Sequence, residues 1–155
     1  MIAKRLALLA LPLLSACAIH ENVKPVDELA SREVCIIVNP ALFSDGFLPV
    51  YEKALQAKGL TVRELPADGK IEDCPVVSTY TANWGWHWAT YLSFTRIRIF
   101  SNAHLRGEAT YDATHGRYSL KKYVRAADKV DELVDQLFPN GAAAVPLRTS
   151  GAPAQ

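Results

Sequence analysis

From Val76 to Thr114 the chain is dominated by β-branched and aromatic residues, and this stretch limits the possible folds more than any other. Val76 to Ala82 reads as a strand, Asn83-Trp84-Gly85 as a turn, and His87 to Phe100 as a long second strand. The alternation in that second strand does not keep one phase. Trp86, Trp88, Leu92 and Phe94 share even parity, whereas Ile97 and Ile99 are odd, so one inserted residue near Thr95 is needed to reconcile them. The pattern therefore predicts a β-bulge or bend there. Ser101 to Gly107 supplies another turn, and Glu108 to Thr114 alternates with Ala109, Tyr111 and Ala113 on one face. An antiparallel meander of three strands is expected.

The flanking segments supply helices. Val34 to Val38, ended by Asn39-Pro40, is apolar on both faces and belongs in the interior of a sheet. Ser44 or Asp45 can cap a helix whose inner face is Phe47, Val50, Tyr51, Ala54 and Leu55, with Gly59 placed for a left-handed C-cap. Thr61 to Leu65 is a further strand, parallel to the first with a right-handed crossover if the two are neighbours. Pro66 to Pro75 is a polar loop. A last helix, capped by Ser119, aligns Leu120, Tyr123, Val124, Ala127, Val130, Leu133, Val134, Leu137 and Phe138, and Pro139-Asn140-Gly141 stops it. The expected order is β-α-β-β-β-β-α: an α+β fold with a mainly antiparallel sheet of about five strands and two helices on one face.

The first residues follow a different logic. Lys4 and Arg5 precede the apolar run Leu6 to Leu14, which is too short to span a bilayer and has the pattern of a secretory signal peptide. Leu14-Ser15-Ala16-Cys17 resembles the lipobox of bacterial lipoproteins. The resemblance implies removal of residues 1–16, acylation of Cys17 and attachment to a membrane by lipid. Each buried methylene contributes roughly 0.8 kcal/mol, so two or three acyl chains hold a soluble domain firmly. Ala18, where an Asp would commonly retain such a protein in the inner membrane, implies the outer membrane, facing the periplasm. The expected organisation is 1–16 signal peptide, 17–33 acylated cysteine and flexible tether, 34–139 one domain, and 140–155 disordered tail. Loss of Lys4 and Arg5 moves the formal charge from +1 to −1. Such a balance gives no support to nucleic-acid binding.

With Cys17 acylated, Cys35 and Cys74 remain as an even pair in an oxidising compartment, and a disulfide between them is expected. A metal thiolate pair or a nucleophilic thiol lacks the spacing and neighbours required. The set Cys35-Ile36, Asn39-Pro40, Cys74-Pro75, Thr79-Tyr80-Thr81-Ala82, Trp84-x-Trp86, Gly107 to Asp112 and Leu137-Phe138-Pro139 is similar to a family of small uncharacterised envelope lipoproteins of Gram-negative bacteria. That resemblance bears on location and domain limits and assigns no catalytic or binding residue. The chain departs from it at His87, which follows a tryptophan where relatives carry an acidic residue.

Chemistry-bearing residues are scattered. His20, His87, His104 and His115 show no helical or tight-turn ligand spacing, so no metal and no cofactor is expected. Glu108 and Asp112 lie four apart on one strand, about 13 Å by strand rise, too far for a hydrolytic carboxylate pair. Ser93, Ser101 and Ser119 have no recognisable partner set, and the glycines form no phosphate loop. Trp84, Trp86 and Trp88 stand out. Parity favours Trp86 and Trp88 beneath the helices with Trp84 closing the turn; the alternative is an exposed aromatic platform for glycan, lipid or protein. The function expected is a non-catalytic binding or accessory module of the cell envelope, with an envelope protein or glycan as partner. The rival is an enzyme or metal-binding protein acting on an envelope component.

Overall fold

A computed structural model describes residues 19–42, 46–116, 122 and 124–146. The expected cleavage site and Cys17, the caps Ser44, Asp45 and Ser119, and helix positions Leu120 and Tyr123 lie outside these residues, as does the tail beyond 146. The described elements are strands β1 (His20–Lys24) and β2 (Glu33–Ile37), helix α1 (Phe47–Ala57), strands β3 (Thr61–Leu65), β4 (Val76–His87), β5 (Ala89–Ser101) and β6 (His104–Asp112), and helix α2 (Ala126–Leu137). They form an α+β fold on a mixed six-stranded sheet of order β1-β6-β5-β4-β2-β3. The meander β4-β5-β6 is antiparallel, as expected, and β2 lies inside the sheet, parallel to both β3 and β4.

One face carries the main core. Val34, Ile36, Val76, Tyr80, Ala82, Ile97, Ile99, Ala109 and Tyr111 meet Phe47, Tyr51 and Leu55 of α1 and Val130, Leu133, Val134 and Leu137 of α2. The helix α1 ends where glycine is needed: Gly59 has φ +76°, its N–H donates to Gln56 O and that of Leu60 to Leu55 O. This is a Schellman closure, with Leu60 and Leu55 as its apolar contact. On the other face, Cys35 and Cys74 are joined by a disulfide and pack with Leu65 and Val77.

Three expectations are corrected. The segment from Ala18 to Arg32 is no simple tether: residues 20–24 form β1, paired antiparallel with β6, and Val26 and Leu29 are buried in the core. The N–H groups of Val26 and Leu29 donate to Leu137 O and Ala144 O, so this stretch laces β1 to the end of α2. Its sparse apolar residues follow no period because they serve three different contacts. Second, Gly141–Ala144 forms a 3-10 turn with Gly141 and Ala144 buried, extending the fold past residue 139. Third, α2 begins at Ala126 rather than near Ser119, and Val124 is 43% exposed. Asp128 in the first turn places negative charge at the positive end of the helix dipole, and it is ion-paired with Arg125 at 2.8 Å.

Gly107 marks the tightest joint. A Cβ there would lie 2.5 Å from Val26 Cγ2, 3.0 Å from Leu137 Cδ1 and 3.1 Å from Lys24 O. Gly107→Ala is expected to destabilise the fold by about 1–3 kcal/mol through overpacking, measured by urea denaturation. In the same assay, reduction of Cys35–Cys74, whose separation is 39 residues, is expected to cost roughly 4 kcal/mol in the chain-entropy treatment. Equal midpoints for oxidised and reduced protein would contradict it.

Candidate functional site

The expected turn at Asn83-Trp84-Gly85 is continuous strand. Pairing of β4 with β5 proceeds through Trp84↔Leu92, Gly85↔Tyr91 and Trp86↔Thr90 to His87↔Ala89, and the chain reverses at Trp88, whose φ is +67°. Gly85 belongs in this strand because the Tyr91 ring lies over it: a Cβ would meet Tyr91 Cζ at 2.7 Å. The bulge expected near Thr95 falls at Ser93, where Asn83 pairs with Phe94 and Trp84 with Leu92. Ser93 Oγ donates to Asn83 O across the irregularity.

The three tryptophans are thereby separated. Trp84 is partly buried and packs against the main core, with its indole nitrogen enclosed. Trp86 and Trp88, expected in the core, are 78% and 86% exposed. Trp86 does keep the parity of Tyr80, Ala82 and Trp84. By that point, however, the β4-β5 hairpin has run past the sheet row Asn83, Phe94, Asp112 and His20, where β6 and β1 end. The hydrophobic pattern continues after the core has stopped. Trp86, His87 and Trp88 line a shallow concavity at the tip, with the His87 and Trp88 rings edge-on at 6.1 Å.

The histidines do not assemble. His87 and His104 lie at opposite ends of β5, through the pairs His87↔Ala89 and Ser101↔His104. His20 and His115 lie near Asp112, whose carboxyl is held below the usual range chiefly by the hydroxyl of Thr114. Among the described residues no group of three or more His, Cys, Asp or Glu side chains is arranged to hold a metal. Glu108 is paired with Arg98 at 2.7 Å. Ser101 Oγ accepts the N–H of Ala30, a structural tie.

Sequence reasoning missed one polar cluster. Phe47 stacks on Tyr80 at 5.4 Å, and with Asn39, Pro40 and Leu42 they line a hollow of about 330 Å³. Glu52 of α1 and Glu64 of β3 both bear on Tyr80. Burial, then repulsion from Glu64 and a hydrogen bond shared with it, push the Glu52 carboxyl above its ordinary value of 4.5. The pair is distant in sequence, and no local motif announces it.

No family model matches the chain, and no curated protein matches it. Among solved structures it is similar to PelC from Paraburkholderia phytofirmans, described as a dodecamer. One such structure is 13% identical with a TM-score of 0.54, covering 81% of this chain and 99% of that one. A single-substitution variant gives 12% identity and a TM-score of 0.52, covering 81% and 98%. Likeness at this level shows a shared fold. Because it takes in nearly all of the PelC chain, that chain is this fold with little added.

Two predictions follow from the site geometry. Trp84→Ala is expected to destabilise the protein by roughly 2–4 kcal/mol, whereas Trp86→Ala and Trp88→Ala should each stay within about 0.5 kcal/mol; thermal unfolding of the three variants distinguishes them. Glu52, with its folded pKa raised, contributes stability that is complete below 4.5 and is lost as pH rises through the raised value. Glu52→Gln should therefore remove that decline. Parallel pH profiles of unfolding free energy for wild type and variant would refute it.

Proposed function

We propose that this protein is a lipid-anchored, non-catalytic accessory module of the cell envelope, acylated at Cys17, seated on the outer membrane facing the periplasm and working by contact. The observation that carries the reading is the hairpin tip: two of the largest apolar side chains of the protein are exposed at 78% and 86%, on a paired β-ribbon. Exposed neighbouring tryptophans are costly in water and are characteristic of recognition surfaces. Further support comes from PelC, a chain of the same fold that assembles with copies of itself into a dodecamer. Self-association through β1 and β3 fits a sheet in which these two strands, among the described residues, have a strand neighbour on one side only.

Two experiments test the reading. Metabolic palmitate labelling is expected in the wild type and absent in Cys17→Ser; continued labelling of the variant would sink the anchor. A photo-crosslinking amino acid at Trp88, irradiated in intact cells, is expected to yield a discrete adduct. Absence of any adduct, with the protein present at normal level, would reject contact at the hairpin.

A further inference from the structure

We infer that the Trp86–Trp88 tip docks into the headgroup region of the same membrane leaflet that receives the acyl chains of Cys17. This rests on the reading of Cys17 as the lipid anchor and names the partner of the hairpin. The argument begins with the direction of β1. His20, Asp112, Phe94 and Asn83 form one row across β1, β6, β5 and β4. Since β1 runs away from that row toward Lys24, the chain before His20 enters the sheet from the side on which the hairpin projects.

The distances are short. Ile19 packs against the core and lies close over Gly116, where a Cβ would meet its Cγ1 at 2.9 Å. Cys17 is two positions before Ile19, which allows about 7 Å of extended chain. The tip Trp88 is five positions beyond Asn83, about 16 Å at the rise of a strand. The hairpin therefore extends at least as far from the sheet as the anchor does. A tether of fifteen residues would let the domain tumble; with one residue between Cys17 and Ile19, chain length alone keeps the anchor within about 7 Å of this end of the sheet.

The chemistry of the tip fits that place. Asn83 to Thr95 contains no Asp, Glu, Lys or Arg, so entering the interface strips water from no permanent charge. Between the strands the backbone is paired as far as His87↔Ala89, and the outward-facing N–H and C=O groups of this two-stranded ribbon suit the hydrated headgroup region rather than the hydrocarbon core. Tryptophan, with an apolar body and one N–H donor, is the residue that accumulates at the membrane–water boundary.

The test uses the full-length acylated protein, purified from cells and reconstituted into phosphatidylethanolamine/phosphatidylglycerol vesicles, with acylation checked by the mass of the N-terminal peptide. Lipids brominated near the headgroup end of the acyl chain are expected to quench about half of the tryptophan emission. Quenching should vanish in Trp86→Phe/Trp88→Phe, which retains Trp84. Acylated protein that floats with the vesicles but keeps its full emission would overturn the hairpin's docking and leave the anchor standing. Emission that changes with protein density at constant lipid, without bromine quenching, would assign the tip to a second copy of the chain and equally overturn it. An unacylated Cys17, or Cys17→Ser protein that floats as well as wild type, would remove the anchor and this inference with it.

Discussion

One extra residue in β5 decides which side of the sheet every neighbouring side chain occupies. Below Ser93 the odd positions Thr95, Ile97 and Ile99 face the helices; above it Leu92 does so, opposite Trp84. Without the bulge, either the lower half of β5 would present Arg96 and Arg98 to the core, or Leu92 would leave it. Because side chains alternate with period two, no gradual adjustment can resolve such a conflict. The bulge resolves it at one point, bridged by the Ser93 hydroxyl, and leaves the paired ribbon free to continue beyond the core to Trp88.

The opposite edge of the sheet is secured by different means. β1 is short and polar, with little apolar surface of its own, and it is held by α2. Lys129 reaches Glu21 at 3.1 Å and stands over the Tyr111 ring at 5.2 Å, while Gln136 donates to Glu21 at 2.7 Å. These ties are partly exposed, and each contributes little alone. Burial of Val26 and Leu29 under the end of α2, made possible by the missing side chain at Gly107, supplies the larger share.

Much of the fold was legible in the sequence wherever local pattern and burial agree. The face of α1, its glycine closure, the three-strand meander and the need for a phase change in β5 all follow from spacing within a few residues. β1 was illegible because a five-residue polar strand is specified by its distant partner β6 rather than by its own composition. Trp86 shows the converse error: its parity is that of core residues, but parity gives the side of a ribbon and not the length of the layer packed on it. The Glu52–Glu64 pair was hidden because its members belong to different elements. The aromatic cluster Trp84, Trp86, Trp88 was visible as a feature, and only the geometry sorts it into one structural and two exposed members.

The placement of β1 at the edge orders events in time. Among the described residues its strand partner is β6, at His104–Asp112, so a chain emerging from its N-terminus holds residues 20–24 without that strand to pair with until most of the sequence has followed. Meanwhile β2, α1, β3 and β4 can already associate through contacts much closer in sequence. Sheet topology thus makes the pairing of β1 wait on β6, the last of the described strands in the chain.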